Sequence, residues 1–265
     1  DRRKESTYME EALVHSEHET SVWPMVVGAS ILLSALSLLS FFHWQVPILG
    51  IVLGGAMLAI LAVGLAGWAR EAFQHAPEEI EVGTVAVAAF VVSETIIFGT
   101  VFVAFWVGRI DNFDVWDTFV PAGLEVSFAV WLTFILWASS VTIVLSERAF
   151  TRGDKKNAMI YLGATLGLGL LFVVLHMNEW RHLIGEGFTV DANVYATAFY
   201  SLTGVHTSHV IVGLGINLVL FWVVASGLMT TDRTTLYKGA GLYWHFVDIM
   251  WLLVAANAYL IGGAS

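Results

Sequence analysis

The sequence predicts an all-α, polytopic membrane protein with seven transmembrane helices. Hydrophobic residues make up 57% of the 265 residues and charged residues 13%, whereas soluble domains average about 45–50% and about 25%. The mean hydropathy is +0.75. Seven apolar runs also reach the length of about 20 residues that crosses a bilayer, namely 23–42, 46–69, 82–107, 121–145, 157–180, 194–225 and 240–261.

Prolines and a polar tail delimit these elements. Residues 1–21 form a polar N-terminal tail, and residues 22–265 form the membrane domain. Pro24 falls at the start of the first span, where a missing backbone N–H does no harm. Pro47 lies at the start of the second span, and Pro121 opens the fourth.

Small residues recur within two of the spans. Gly50 and Gly54 lie one turn apart in the second span, and Gly163 and Gly167 do so in the fifth. This spacing lets helix backbones approach closely in membranes, where no hydrophobic force draws helices together. We expect ordinary helix packing at both pairs.

Positive charges indicate the orientation. Of the twelve Lys and Arg residues, only Arg109 and Arg181 lie on the side opposite the N-terminus. Because cytoplasmic loops carry the excess of Lys and Arg, we expect a cytoplasmic N-terminus. The ten residues on that side are Arg2, Arg3, Lys4, Arg70, Arg148, Arg152, Lys155, Lys156, Arg233 and Lys238.

Missing residue types exclude several classes of protein. The chain has no cysteine, which excludes disulfides, thiolate metal sites, cysteine nucleophiles, and the thiolate-bridged and blue types of copper centre. A retinal pump needs a lysine within the last helix for its Schiff base. The four lysines, however, are all expected in loops or in the tail, outside the seven predicted spans: Lys4, Lys155, Lys156 and Lys238.

Glu94 lies near the middle of the third span. A carboxylate at that depth costs at least about 2.5 kcal/mol to insert, so it should face the bundle, pair or stay protonated. A structural, hydrogen-bonded glutamate and a protonatable or lipid-cleft residue both fit. A stand-alone proton- or ion-coupled transporter that uses Glu94 and Asp248 is the alternative function, although no internal repeat or broken helix supports it.

His206 and His209 are three residues apart on the sixth span and should share a helix face. Further histidines, His176 and His245, do not lie at the same depth, so a haem or metal site lacks a ligand set. We expect neutral imidazoles that bridge helices, and no metal.

Polar groups also mark the ends of the fifth and seventh spans. His245 and Asp248 share a face, where the carboxyl group could orient the imidazole and share its proton through a hydrogen bond. At the outer end of the fifth span we expect a solvated rim, formed by His176, Asn178, Glu179, Arg181 and His182.

From about residue 15 to the end, in order, the chain resembles the cytochrome c oxidase subunit III family. YWHFVDIMW (243–251) is the most specific match and is similar to the seventh helix of that family. SETIIFGTVFVAFW (93–106) resembles the third helix and places Glu94 on the family's membrane glutamate. The other matching stretches are SVWPMVVG (21–28), LGLGLLFVVLHMNEWRHL (166–183) and YATAFYSLTGVHTSHVIVG (195–213), which resemble the first, fifth and sixth helices.

The sequence departs from the family pattern at several positions. Thr207 follows His206 where the family usually has glycine, His176 replaces a glutamine, and Lys238 stands where glutamate is common. GWAREAFQHAPEE (67–79) matches the Trp–Arg–acid stretch after the second helix only loosely.

The resemblance implies a non-catalytic core subunit of a proton-pumping haem–copper terminal oxidase in aerobic respiration. Two helices would splay from the other five around a cleft that holds phospholipids. The partners would be the catalytic subunit I and the copper-bearing subunit II, which hold haem and copper, while this chain would hold neither. No nucleic acid is expected, and the implied location is a prokaryotic plasma membrane.

The same resemblance implies roles for individual residues. It points to no catalytic residue and no metal ligand in this chain. Trp23, Trp68 and Arg70 are the candidate lipid-binding residues. The candidates for proton uptake or for the cleft are Glu94, His206, His209, His245 and Asp248.

Overall fold

The computed structural model describes residues 22–38, 40, 44–74, 80–229 and 234–263, and these residues form helices and loops without a strand. The predicted tail, 1–21, lies outside the described residues. The chain divides into two compact units, Asp1–Glu78 and Glu79–Ser265.

The first unit contains an antiparallel helix pair, α1 (Trp23–Leu38) and α2 (Pro47–Gln74). Ser37 of α1 donates a hydrogen bond of 2.7 Å to the carbonyl oxygen of Gly50. A Cβ atom on Gly54 would lie 3.1 Å from the same hydroxyl group. This contact confirms the packing predicted at Gly54, whereas Gly50 takes part through its carbonyl oxygen.

In its described residues, the second unit contains five α-helices and two short helical segments. They are α3 (Ile80–Asp111), a 3-10 helix (Phe113–Phe119), α4 (Val126–Thr151), α5 (Lys155–Gly185), α6 (Val194–Ala225) and α7 (Thr235–Ala255), which continues as a π-helical segment (Ala256–Ile261). Asp154 and Asn193 cap α5 and α6, since their side chains accept the backbone N–H groups of Asn157 and Ala196.

Six helical stretches in the described residues are long and apolar enough to cross a membrane, so the chain is a multi-pass membrane protein. The first predicted span falls on α1, whose 16 residues are shorter than that length. Residues 39, 41 and 42 of the same prediction lie outside the described residues. The six stretches are Pro47–Gly64, Val87–Asp111, Val126–Thr151, Lys155–Gly185, Val194–Ala225 and Thr235–Ile261.

The fourth span begins later than predicted. Pro121 was expected to open it, but α4 begins at Val126. Pro121 instead begins a turn in which its carbonyl oxygen accepts the N–H group of Leu124. Glu125 then has an extended backbone and precedes the first helical residue. The apolar run therefore covers a turn as well as a helix, because hydropathy alone does not distinguish them.

The core of the second unit is built around two tryptophans of α7. Trp244 and Trp251 are fully buried. Their indole N–H groups donate to hydroxyl groups of α4, Ser139 at 2.9 Å and Thr133 at 3.0 Å. Buried indoles need such a partner, so these hydroxyl groups position α7 against α4.

Glycines of two other helices make room for Trp244. A Cβ atom on Gly169 of α5 or on Gly213 of α6 would lie 2.8 Å from the indole ring. The close approach predicted at Gly163 and Gly167 is wrong in position. Phe221 would lie 4.0 Å from a Cβ atom on Gly163, and no described atom would lie within 4 Å of one on Gly167.

Candidate functional site

Glu94 lies on the stripe of α3 that packs into the second unit. Phe98 and Phe105 follow it on the same face and are fully buried, whereas Ile96 and Ile97 are exposed. Residues spaced in this way recur on one side of an α-helix. The ring of Phe98 reaches Phe246 of α7, with 6.0 Å between centroids. Glu94 is thereby turned toward the helices of its own unit.

The partner of Glu94 is His209 of α6. Oε2 of Glu94 and Nε2 of His209 are 2.8 Å apart. The other ring nitrogen, Nδ1, lies 2.7 Å from the carbonyl oxygen of Val205, one turn earlier on α6. A carbonyl oxygen can only accept, so Nδ1 carries a hydrogen. The prediction that His209 bridges helices is confirmed, since this contact joins α6 to α3.

This geometry leaves one proton to be shared by the pair. Either a protonated Glu94 donates to the bare Nε2 of a neutral His209, or an imidazolium Nε2–H donates to a Glu94 carboxylate. Both arrangements have the same net charge and differ only in the position of one proton between two atoms. The shared proton can therefore move between the two atoms without a change in net charge, whereas its loss would leave two acceptors facing each other and remove the hydrogen bond.

Aromatic groups surround the pair without sealing it. The Phe98 ring lies 4.8 Å from the imidazole of His209 between centroids, and Phe246 lies at 6.3 Å. The hydroxyl group of Tyr243 donates to the backbone carbonyl oxygen of His209 at 3.3 Å. Both side chains of the pair remain 13% exposed. The apolar rings strengthen the hydrogen bond by lowering the local dielectric constant, and one edge of the pair is not covered by the described residues.

His206 contacts a different part of the unit from His209. Three residues rotate an α-helix by about 300°, so the two rings diverge by about 60°. His206 is fully buried and packs on Trp251 of α7 and Phe172 of α5, at 5.0 Å and 5.7 Å between centroids. The structure therefore places the two histidines of the sixth predicted span in separate polar clusters.

A second buried cluster lies toward the C-terminal end of α5. The Tyr259 hydroxyl group donates to Oε2 of Glu179 at 2.6 Å, and Nδ1 of His176 lies 3.2 Å from the same oxygen. His176 is fully buried, and the Glu179 side chain is only 8% exposed. The solvated rim predicted here is wrong for these two residues, whereas Asn178, Arg181 and His182 are exposed.

The buried and the exposed residues lie on different faces of α5. His176 and Glu179 are three residues apart and lie on the side of α5 that meets α6 and α7, while the exposed residues lie between and beyond them. The role of Tyr259 was not anticipated, since the π-helical segment that carries it has no signal in hydropathy. The spacing of His176 and Glu179 was the only indication in the sequence.

His245 and Asp248 do not form the expected hydrogen bond. Nδ1 of His245 lies 3.1 Å from the hydroxyl group of Ser140 on α4. Asp248 is 5% exposed, and neither of its carboxyl oxygens has a hydrogen-bond partner among the described residues. The two residues thus face different surroundings although they lie one turn apart.

The candidate lipid-binding residues lie in the first unit. Trp23, at the start of α1, packs over Gly67 of α2, where a Cβ atom would collide with the indole ring. Arg70 is exposed, one turn further along α2. The side chain of Trp68 lies outside the described part of the chain. An aromatic ring and a guanidinium group therefore lie at the same end of the helix pair.

Two acidic groups outside the spans accept local hydrogen bonds. Hydrogen bonds from the backbone N–H and the side-chain amide of Asn157 hold the pKa of Asp154 below its ordinary value. A hydrogen bond from Thr189 lowers the pKa of Asp191 in the same way.

Among the residues that the structure describes, no three His, Asp or Glu side chains are grouped as a metal would require.

Comparison with known proteins gives a consistent family. A family model described as cytochrome c oxidase subunit III matches residues 15–263. The chain is 31% identical over 263 residues to cytochrome c oxidase subunit 3 of Allomyces macrogynus, covering 94% of both chains.

Bacterial proteins are similar as well. Cytochrome c oxidase subunit 3 of Alkalihalophilus pseudofirmus is 36% identical over 177 residues, which cover 65% of this chain and 84% of that protein. Quinol oxidase subunit 3 of Bacillus spizizenii is 29% identical over 180 residues, with the same coverage of 65% and 84%.

Proposed function

Since the chain belongs to the cytochrome c oxidase subunit III family, we propose that it is the non-catalytic third subunit of a proton-pumping haem–copper terminal oxidase. In this role it supports proton uptake and the stability of the catalytic subunit. Relatives named for cytochrome c and for quinol both match. We therefore assign the choice of electron donor to the partner subunits.

The observation that carries the proton role is the 2.8 Å contact between Glu94 and His209. The pair shares one titratable proton, lies within predicted spans and retains an exposed edge. General acid–base groups work in this way when they hold a proton near a path and release it on demand. Glu94 is the proposed proton-exchanging group, and His209 is its positioning partner.

The redox cofactors are proposed to reside in partner subunits. Haem would be held by the catalytic subunit I, and copper by subunits I and II. The absence of cysteine from the sequence excludes thiolate copper sites in this chain. The excess of Lys and Arg on one side supports a cytoplasmic N-terminus, and the bacterial relatives support a prokaryotic plasma membrane.

Phospholipid binding is proposed for the first unit. Trp23 and Arg70 lie at the same end of the α1–α2 pair. Tryptophan favours the interface between headgroups and acyl chains, and arginine forms strong, charge-assisted hydrogen bonds with phosphate. A lipid phosphate group beside Arg70, with its acyl chains along the exposed apolar residues of α2, fits this arrangement.

Purification of the native complex tests the assignment. We expect the chain to copurify with a catalytic subunit that contains haem and copper. The full-length chain, expressed and purified alone, should show no Soret band. A stoichiometric haem signal in the isolated chain, proton flux through that chain in liposomes, or a native complex without a haem–copper subunit would contradict the proposal.

The variant Glu94→Gln tests the proton role. Its amide can still donate to Nε2 of His209, so the helix contact persists, but it holds no exchangeable acid proton. We expect slower turnover or a shorter active lifetime of the complex than with the exposed control variant Glu186→Gln. If turnover, its pH dependence and the active lifetime all match the control, Glu94 is only structural.

A further inference from the structure

His206 presents an unusual chemical problem in the second unit. Its side chain is fully buried, and neither Nδ1 nor Nε2 has a hydrogen-bond partner among the described residues. Leaving a buried polar group without a partner destabilises the folded state. An imidazole with two unmet nitrogens thus needs a ligand that the described side chains do not supply.

Two further orphan nitrogens lie on the facing side of α5. They are Nε2 of the fully buried His176 and Nε1 of Trp180, and both are shielded from solvent. The His176 ring packs on Trp180 at 5.6 Å between centroids, and Trp180 lies against Gly204 of α6. The unmet groups therefore gather along one seam between α5 and α6.

Shared neighbours bring the two imidazoles close together. His176 and His206 both pack on Trp251, at 5.5 Å and 5.0 Å between centroids. Both also pack on Phe172, at 5.8 Å and 5.7 Å. We call the region enclosed by these rings the His206 seam, defined by Phe172, His176, Trp180, His206 and Trp251.

The hydrogen-bonding capacities of the orphan atoms are complementary to one small molecule. Taking Glu179 as a carboxylate, His176 donates through Nδ1, so its Nε2 offers a lone pair. Neutral His206 offers one N–H group and one lone pair, and Trp180 offers one N–H group. Water can both donate and accept, so it can pair with each of these groups, and the two nitrogens of His206 would need separate water molecules because they point in different directions.

We propose that the His206 seam is a binding site for internal water, with one or a few molecules that bridge His206 to His176 and Trp180. Buried waters typically make about three hydrogen bonds to otherwise unsatisfied groups. The site is distinct from the Glu94–His209 pair and does not depend on its proton role.

Bound water would also extend the polar cluster of α5. Glu179 already joins His176 to Tyr259 through contacts of 3.2 Å and 2.6 Å. With water in the seam, a continuous hydrogen-bonded chain runs from His206 through His176 to Glu179 and Tyr259. Such a chain would connect α5, α6 and the π-helical segment through hydrogen bonds inside the bundle.

A structure of the whole oxidase complex tests the site directly. At a resolution at which other internal waters are visible, we expect density within about 3 Å of a His206 ring nitrogen and of Nε2 of His176. A seam without density, in a map that shows waters elsewhere in the interior, would overturn the proposal.

The variant His206→Phe provides a second test that does not need a density map of the complex. Phenylalanine keeps the ring packing but removes both nitrogens. A dry seam predicts an unchanged or higher thermal stability of the complex, because two orphan atoms disappear. A hydrated seam predicts a lower midpoint, because bound water loses a partner. The exposed variant His182→Phe is the matched control and should leave the midpoint unchanged.

A double-mutant cycle separates water bridging from the loss of one side chain. Trp180→Phe keeps a ring but removes the indole N–H group. If the two side chains share water, the decrease in thermal midpoint of Trp180→Phe/His206→Phe is smaller than the sum of the decreases in the two single variants. Additive losses would contradict a shared ligand. If the variants fail to assemble, the map of the native complex decides the question.

Discussion

Glu94 and His209 are 115 positions apart in the chain, and their side chains form a 2.8 Å hydrogen bond between α3 and α6. Each residue alone would be a costly polar group in an apolar span. Together they satisfy each other and join the two helices. The same contact is therefore a packing element and the proposed proton-exchange site.

Breaking this pair from one side should destabilise the subunit. The variant His209→Phe leaves the Glu94 carboxyl group without its partner, which should lower the free energy of unfolding by about 1–3 kcal/mol. The midpoint of thermal dissociation from the complex measures this loss. The double variant Glu94→Leu/His209→Phe removes both polar groups and should recover much of the stability. A double variant that is less stable than His209→Phe would contradict the pairing.

Alanine at the glycines around Trp244 should disturb the core. Gly169→Ala and Gly213→Ala would each place a Cβ atom 2.8 Å from the indole ring, and overpacking of this kind costs about 1–3 kcal/mol. The matched controls are Gly167→Ala and Gly215→Ala, which have no described atom within 4 Å. Thermal midpoints of the four assembled variants compare them, and equal midpoints would refute the close packing.

Asp248 should tolerate replacement better than Ser140, the hydrogen-bond partner of His245. Neither carboxyl oxygen has a hydrogen-bond partner among the described residues, so Asp248→Asn should leave the thermal midpoint unchanged or raise it. Ser140→Ala removes the hydroxyl group that contacts His245 at 3.1 Å and should cost about 0.5–1.5 kcal/mol. A large loss with Asp248→Asn would indicate a partner that only the assembled complex supplies.

The cap of α5 should depend on pH. The pKa of Asp154 is lower in the folded chain than its ordinary value of 3.8, because Asn157 donates two hydrogen bonds to the carboxylate. Its stabilising contribution is thus complete above pH 3.8 and is lost as the pH falls through the lowered pKa. The midpoint difference between the wild type and Asp154→Ala should shrink in acid.

The control for the cap is Asp154→Asn. Asparagine also accepts the backbone N–H group of the first turn but does not titrate. Its midpoint difference from Asp154→Ala should not change with pH over the same range. If both differences are flat, the Asp154 carboxylate contributes nothing to the pH dependence of stability.

Several features were predictable because they depend on local composition. The sixth predicted span, 194–225, matches the bounds of α6 (Val194–Ala225), since a polar, capping Asn193 precedes it and the apolar run ends where the helix does. The need for Glu94 to pair or face the bundle followed from the cost of a carboxylate in hydrocarbon.

Other features were predicted wrongly because they depend on helix rotation and packing. The sequence does not show which glycines of a helix face a neighbouring helix. Close packing was therefore predicted at Gly163 and Gly167 of α5, and the contact at Gly169 was missed. The burial of Glu179 was also missed, since helix-end residues are usually solvated. His206 and His209 share an apolar helix, yet a divergence of about 60° sends them to different partners.

The sequence by itself determined that this chain crosses a membrane several times and which polar groups in the apolar segments need partners. The physical reason is that transfer into hydrocarbon is governed by the residues of a single segment. Only the tertiary structure decided which partner each group has: His209 for Glu94, and Tyr259 and His176 for Glu179. Those contacts depend on how each helix is rotated and where its neighbours lie, and packing of the whole bundle sets both.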